Sequence, residues 1–442
     1  MKKRLSKLYD KIPESARVLV KTSAYNGVAT VIKMILGIIG NKINSIYLGP
    51  SGFALLGQFT NFSSIASTFA TGGINSGLIK YVAEYYDQLD KRKKIINTSL
   101  FIVLICSATV GIVSIVLCRY FSVLLLKSPR YWSIFIIAGL MMILNSAGTI
   151  ISNLLNALKQ MTKLITTQII TNFISLGVTV PLVIFFNVYG SLLSIFIIAP
   201  ITVYINYRFL LKTGFDFRKV KPLFDMESFK KLSKFSAMAF TTALMVPVSQ
   251  LIIRNYIMTQ ISPESAGYWQ GIIKLSDMYM TVILSSLALY YLPRLSEIKD
   301  QMELRKEIFL GYSILMPLMI VIGLTIFFLR DFIIHVLYAP SFQPMRSLFP
   351  FQILGDFFKI ASWLLAYLML AKAKGKMYII TEVVFSVSYL AFSFIFVIKY
   401  GVVGVTYAYS LNYFLYLLLF IFLFRNLIFP RATQDLKIKK IN

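Results

Sequence analysis

Val402–Phe424 reads VVGVTYAYSLNYFLYLLLFIFLF, a run without a single Asp, Glu, Lys or Arg. A bilayer core requires about 20 consecutive apolar residues of helix, and this run meets that length. Outward along the chain the same pattern recurs at Ile308–Phe328, Ile134–Leu155 and Ile96–Cys118, again without charge. None alternates apolar with polar residues, so a transmembrane β-barrel is excluded. Composition agrees: of 442 residues, 57% are hydrophobic and 14% charged, with a mean hydropathy of +0.73. A water-soluble fold has too little interior for that much apolar surface. The expected fold class is an all-α polytopic membrane protein.

The charge balance, 45 Lys and Arg against 18 Asp and Glu, gives a net +27. In a soluble protein this would suggest nucleic acid, but no basic domain stands outside the apolar runs to bind it. Positive charge collects instead on the cytoplasmic loops of membrane proteins, where it meets anionic membrane lipid. Two cysteines, Cys106 and Cys118, and one histidine, His335, leave neither a disulfide framework nor a Cys- or His-based metal site. No cofactor is implied, and no cleavable signal follows the basic start.

Twelve spans are predicted, at 18–46, 52–84, 96–118, 132–157, 163–187, 190–211, 230–258, 266–292, 308–328, 346–370, 377–398 and 402–425. Basic connections (the first terminus, Lys91–Lys94, Lys159 with Lys163, Lys212–Lys234, Arg294–Lys306, Lys372–Lys376, the tail Lys437–Lys440) alternate with connections that lack Lys and Arg, near Leu48–Ser51, Asn187–Gly190 and Gln260–Glu264. The positive-inside rule then places both termini in the cytoplasm. Arg119, Lys127, Arg130, Arg330 and Arg346 fall on the other side. The chain also repeats itself. Gly52-Phe53, Glu84 and Arg92 recur as Gly267-Tyr268, Glu297 and Arg305; Thr167-Gln168 recurs as Thr381-Glu382, and Tyr189-Gly190 as Tyr400-Gly401. Constant order at near half the chain length points to a duplicated lobe. The expected organisation is two six-helix lobes, 1–212 and 230–425, with a linker at 213–229 and a basic tail at 426–442. Because six is even, the lobes run parallel, and a central cationic cavity between them is the expectation.

Polar residues form stripes through the spans. In the first span Asn26, Thr30, Lys33, Gly37, Asn41 and Asn44 share a helical face, as do Gln58, Asn61, Ser64, Thr68, Gly72 and Asn75 in the second. Gln270, Lys274, Asp277, Thr281 and Ser285 stripe the eighth, and Gln352, Asp356, Lys359, Trp363 and Tyr367 the tenth. Small polar residues also serve as glue between membrane helices. A charge at the centre of a span costs about 2.5–3.5 kcal/mol on insertion scales, so charges there line a pathway more often than they decorate it. Lys274 with Asp277, and Asp356 with Lys359, are neighbours that can neutralise one another. Lys33, Lys42 and Arg254 have no carboxylate three or four residues away, and a phosphate is the natural anion for such cations. Pro247 is expected to kink the seventh span.

Several segments carry a resemblance: Leu48-Gly49-Pro50-Ser51-Gly52, Lys80-Tyr81-Val82-Ala83-Glu84, Gly267-Tyr268-Trp269-Gln270-Gly271, Leu275-Ser276-Asp277, Tyr291-Leu292-Pro293-Arg294-Leu295-Ser296 and Gly355-Asp356-Phe357-Phe358-Lys359. Together they resemble the Wzx-type flippases, in the branch that includes the enterobacterial common antigen lipid III flippase, within the multidrug/oligosaccharidyl-lipid/polysaccharide exporter superfamily. The resemblance covers nearly the whole chain, with departures in the fifth and ninth spans and the tail. It implies twelve helices in two lobes around a cationic cavity, a bacterial inner-membrane location, and an undecaprenyl-diphosphate-linked oligosaccharide (an O-antigen repeat unit or similar) moved to the periplasmic leaflet before polymerisation. A glycan polymerase machinery is then an expected partner. Matching positions are Lys33, Arg254, Trp269, Gln270, Asp277, Arg330, Asp331, Asp356, Lys359, Lys372 and Glu382.

Residues and resemblance together suggest alternating access. Lys33, Arg254, Lys274 and Lys359 form the candidate diphosphate wall, with Asn26, Gln58, Asn61, Trp269 and Gln270 as further substrate contacts. Asp277, Asp356 and Glu382 are candidates for ion or proton coupling. The alternatives are an ion-coupled multidrug or polysaccharide exporter of the same superfamily, and an integral-membrane polymerase or glycosyltransferase. A positively lined cavity repels the organic cations of the former. The latter is expected to present catalytic residues on a sizeable loop outside the membrane, which the sequence lacks.

Overall fold

Backbone polar groups have no water to pair with in lipid, so even the Val- and Ile-rich runs of this chain must close their hydrogen bonds within helices. The computed structural model describes residues 14–215, 220–372 and 375–429, and these form helices joined by short turns, with no strand among them. The basic first terminus, the Lys437–Lys440 tail and part of the 213–229 linker lie outside the described residues.

The helices are α1 (Glu14–Ala70), α2 (Asn75–Glu84), α3 (Leu89–Val116), α4 (Cys118–Leu126), α5 (Trp132–Ala157), α6 (Met161–Ile197), α7 (Ala199–Leu211) and α8 (Met226–Gln260). They continue as α9 (Pro263–Ser286), α10 (Leu292–Glu297), α11 (Gln301–Phe328), α12 (Arg330–Leu337), α13 (Phe349–Ala371), α14 (Gly375–Tyr400), α15 (Val403–Leu423) and the short α16 (Arg425–Ile428). Among the described residues, eight helical stretches are long and apolar enough to cross a membrane, or nine if Met226–Lys234 and Ala239–Gln260 form one bent span. Two are too long for one crossing. Tyr25–Ala70 and Met161–Leu211 have 46 and 51 residues, which at about 1.5 Å per residue far exceeds a bilayer core of about 30 Å. Each is interrupted by a left-handed residue, Gly49 (φ 62°) and Asn187 (φ 49°). Dividing them there, and adding the more polar α9, gives about twelve crossings, in line with the sequence.

Some boundaries differ from the expectation. The span expected at 52–84 is two helices, because Gly72 and Gly73 take φ of 62° and 64° and end α1 before α2 begins. Pro247, where a kink was expected, lies inside α8.

The chain divides into two compact units. The first holds residues up to Tyr47 with Phe62–Phe240, and the second holds Leu48–Asn61 with Thr241 onward. The middle of α1 therefore groups with the second unit, and the division falls inside α8 rather than in the 213–229 linker. In the first unit α5 is central, packed by α2, α3, α6 and α7. Ile74, Leu78, Ile95, Leu154, Leu155 and Leu210 are buried there in one cluster with Leu232 of α8. α3 and α5 cross at Gly111 and Gly139, where a Cβ on either would lie within 2.7 Å of the other's carbonyl oxygen. Such small-residue crossings let membrane helices pack without a hydrophobic driving force. The described part of the linker is tied to the start of α3: Lys221 N–H donates to Asn97 Oδ1 (3.1 Å), and Asp225 N–H to Thr98 Oγ1 (3.2 Å). In the second unit α13 is the centre, packed by α9, α10, α11, α14 and α15.

The duplication has a structural counterpart. α6 turns at Asn187 so tightly that a Cβ on Gly190 would sit 1.8 Å from the Leu182 carbonyl oxygen. The α14–α15 turn repeats this at Gly401 (φ 61°), where a Cβ on Gly404 would sit 2.1 Å from the Phe396 oxygen. Leu182, Asn187 and Gly190 thus correspond to Phe396, Gly401 and Gly404, which replaces the expected match of Tyr189-Gly190 with Tyr400-Gly401. Thr167 and Thr381 follow the same register, each buried with its hydroxyl on the carbonyl three residues back.

Candidate functional site

In the second unit the polar faces of five helices converge on one cavity of about 90 Å³. Gln352, Lys359 and Trp363 come from one face of α13, and Tyr409, Asn412, Tyr413 and Tyr416 from one face of α15. α9 adds Trp269 and Asp277, α14 adds Glu382 and Tyr389, and α8 adds Ser249 and Gln250.

Asp356, fully buried, is the polar centre beside this cavity. Its Oδ1 accepts from Tyr409 Oη (2.8 Å) and Gln352 Nε2 (3.4 Å), and its Oδ2 accepts from Ser276 Oγ and Tyr279 Oη. Burying a carboxylate is costly unless its lone pairs are met, and here four neutral donors meet them. Asp356 and Lys359, three residues apart on α13, interact electrostatically as expected. The Lys359 ammonium lies over three rings, Trp363 at 5.3 Å, Tyr413 at 5.5 Å and Tyr409 at 5.8 Å. Tyr409 therefore serves both charges, its hydroxyl on the carboxylate and its ring under the ammonium. Glu382 accepts from Tyr416 Oη at 2.9 Å.

Behind Trp269 lies a second polar group. Arg254, with no exposed surface, donates to Gln58 Oε1 (3.3 Å) and Gln270 Oε1 and stacks 5.2 Å from the Trp269 ring. Gly57 makes room for it: a Cβ there would lie 2.5 Å from the Gln270 amide and 3.0 Å from the guanidinium carbon. Arg254 Nε and Gln58 Nε2 are buried without partners. Among the described residues the guanidinium is held by neutral amide oxygens and a ring.

The first unit has its own polar cleft, about 260 Å³, lined by Lys33 of α1, Ser152 of α5, Thr167, Gln168, Thr171 and Asn172 of α6, and Thr202 and Asn206 of α7. Its described lining contains an ammonium, amides and hydroxyls but no carboxylate.

The sequence-derived candidates thus separate. Trp269, Asp277, Lys359 and Glu382 line the second unit's cavity; Gln58, Arg254 and Gln270 form the buried cluster behind it; Lys33 belongs to the first unit's cleft. Lys274 is half-buried on α9 and does not line the cavity. Asn26 is half-buried, its carbonyl accepting from Thr30, and Asn61 is buried with an unpartnered Nδ2. Of the other matching positions, Lys372 places its ammonium 2.5 Å from the Ile298 carbonyl oxygen. Asp331 meets Arg346 at 3.3 Å, and Arg330 stacks on Phe327 at 4.4 Å. Sequence reasoning missed the tyrosines 409, 413 and 416 and the amides Gln168 and Asn172 as site residues, although the spacing of each set marks one helical face.

Comparison with known proteins adds to this geometry. The lipid III flippase of Escherichia coli (strain K12) is 27% identical over 399 residues, spanning 90% of this chain and 96% of that protein. Among solved structures, an inward-facing multidrug resistance MATE family transporter of the MOP superfamily superposes with a TM-score of 0.73 at 13% identity, covering 91% of this chain and 100% of that one. The lipid II flippase MurJ, in an inward closed conformation, gives 0.72 at 14% identity, covering 92% of this chain and 87% of that one. These two likenesses establish a shared fold. A family model described as polysaccharide biosynthesis protein matches residues 19–299, most of the chain, and the protein belongs to that family.

Proposed function

We propose that this protein is a flippase that carries an undecaprenyl-diphosphate-linked oligosaccharide from the cytoplasmic to the periplasmic leaflet of a bacterial inner membrane. It works by alternating access between two parallel lobes, 1–212 and 230–425, with both termini in the cytoplasm. The observation that carries the reading is the placement of charged and amide side chains within helices that are otherwise apolar. Lys33, in a cleft whose described lining has no carboxylate, is suited to take phosphate oxygens, and Arg254, held among the described residues by amides and a ring, is suited to exchange those neutral partners for them. Support also comes from the lipid III flippase, similar to this chain over 90% of its length. The bulky, hydroxyl-rich glycan needs polar side chains along its path, while the polyprenyl tail needs only lipid.

In this scheme Asp277, Asp356 and Glu382 are the coupling groups. They sit on three helices, α9, α13 and α14, and Asp277 and Glu382 open directly to the cavity. Translocation delivers the glycan to a polymerase machinery on the far side of the membrane. The protein catalyses no covalent step.

The test is a chromosomal deletion followed by fractionation of lipid-linked saccharides. Build-up of undecaprenyl-diphosphate oligosaccharide with loss of the surface glycan is the expected result. Normal surface glycan in a strain without a substitute flippase contradicts the reading.

A further inference from the structure

The two polar pockets occupy corresponding places in the duplicated chain. Gln168 and Glu382, Asn172 and Ser386, and Thr202 and Tyr416 are separated by the same number of residues as Thr167 and Thr381, and each of these pairs has one member in each pocket except the buried Thr381. The correspondence exposes a chemical difference. The second unit's pocket has Asp277 and Glu382 in its wall and aromatic rings around its lysine, whereas the first unit's has neither acid nor ring.

Much of the first unit's cleft is already satisfied. Asn206 Nδ2 donates to Ser152 Oγ (2.7 Å) and the Gly148 carbonyl (3.3 Å), and the Thr167 and Thr202 hydroxyls bond their own helices. Four groups are left open: among the described residues the side chains of Lys33, Gln168, Thr171 and Asn172 make no hydrogen bond or ion pair. Gln168 and Asn172 lie one turn apart on α6 and present their amides on one face. Lipid cannot satisfy an ammonium and two amides within membrane spans. Their shared chemistry is that of a carbohydrate beside an anion, since amides both donate to and accept from hydroxyl and acetamido groups while an ammonium takes a negatively charged oxygen. A cation is disfavoured, because none of the described residues lining the cleft is negatively charged.

We propose that this cleft is a sugar subsite, in which Gln168 and Asn172 engage hydroxyl or acetamido groups of the carbohydrate and Lys33 takes an anionic oxygen next to it. The assignment rests on the flippase function proposed above and adds to it. It gives the two halves of the duplication different work, carbohydrate recognition in the first and titratable groups in the second. The anionic oxygen has two chemical sources, the diphosphate of the carrier lipid or an acidic group on the sugar.

The experiment measures binding to the purified full-length protein in nanodiscs. The probes are undecaprenyl diphosphate bare, carrying one neutral N-acetylhexosamine, or carrying one hexuronic acid. The variant with Gln168→Leu and Asn172→Leu is expected to bind both glycosylated probes at least tenfold more weakly and the bare lipid within twofold of wild type. Gln168→Glu, nearly isosteric, is expected to weaken the glycosylated probes as well, because it puts a negative charge beside the bound anion. Lys33→Gln is expected to weaken all three probes if the diphosphate is the anion, or only the hexuronic acid probe if the sugar supplies it. Equal loss on bare and glycosylated lipid in the α6 double variant, or no loss on the glycosylated probes, overturns the subsite, as does a Lys33→Gln variant that binds every probe normally. In either case wild-type binding leaves the flippase reading standing. Wild-type protein that binds no probe overturns both.

Discussion

Arg254 illustrates how a membrane protein keeps a cation without a carboxylate. Two amide oxygens and the Trp269 ring take the place of a counter-ion, and removing the guanidinium strands Gln58 and Gln270 in a buried site. An unsatisfied buried polar group costs about 1–3 kcal/mol. Arg254→Ala should therefore lower the melting temperature of the purified protein and abolish complementation; Arg254→Lys should retain the charge yet fail to complement, because one ammonium cannot reproduce the planar fork. A variant Arg254→Lys that complements fully would show that charge alone matters. Outside the apolar runs, Asp225 caps α8, its Oδ2 accepting from Ser228 N–H at 2.8 Å. Hydrogen bonds from the Ser228 side chain and backbone hold its carboxyl below the usual carboxylate range. A depressed folded-state value means that the contribution is present above the unfolded value and is lost as pH falls through the folded one. Asp225→Ala should cost about 1 kcal/mol at neutral pH, the usual worth of such a cap, and the difference from wild type in thermal unfolding should vanish in acid. The charged residues of the site were legible because a charge inside an apolar run has few innocent explanations. Their partners were not, since Tyr409, Tyr413 and Tyr416 count as apolar in any hydropathy reading and Gln58 is remote from Arg254 in sequence.

At the scale of elements, helix turns and crossings depend on the lack of a side chain at particular glycines. Gly190 and Gly404 face carbonyl oxygens at 1.8 and 2.1 Å from where a Cβ would be, and Gly267 faces the Pro50 oxygen at 1.9 Å. No rotamer adjustment relieves a clash between a Cβ and backbone. Gly190→Ala and Gly404→Ala should each sharply reduce the amount of folded protein in the membrane, whereas Gly177→Ala, with open space around it, should leave it unchanged. Immunoblots of membrane fractions distinguish these outcomes, and normal levels for Gly190→Ala would contradict the turn geometry. The apolar runs announced most helices because length and composition alone decide what crosses a bilayer. The break between α1 and α2 went unread, since two glycines within a polar stripe look like small-residue packing until their left-handed backbone is seen.

For the whole molecule, repeated motifs and side-chain contacts draw different boundaries. Matching motifs give two halves of six spans, while contacts group Leu48–Asn61 with the second unit and the start of α8 with the first. Grouping depends on which side chains touch, and motif spacing holds no record of that. Gln58, hydrogen-bonded by Arg254, shows the reason: a residue early in the sequence is held by one from its second half. In the proposed function the charged groups share one task, the passage of an anionic, sugar-bearing lipid. The most direct test is reconstitution of the purified protein in sealed liposomes containing undecaprenyl-diphosphate oligosaccharide, with a membrane-impermeant glycosidase reporting sugar exposed at the outer face. Wild-type protein should expose the inner-leaflet pool with time, and Lys33→Ala and Arg254→Ala should not. Wild-type vesicles that expose no more glycan than protein-free ones would contradict the account.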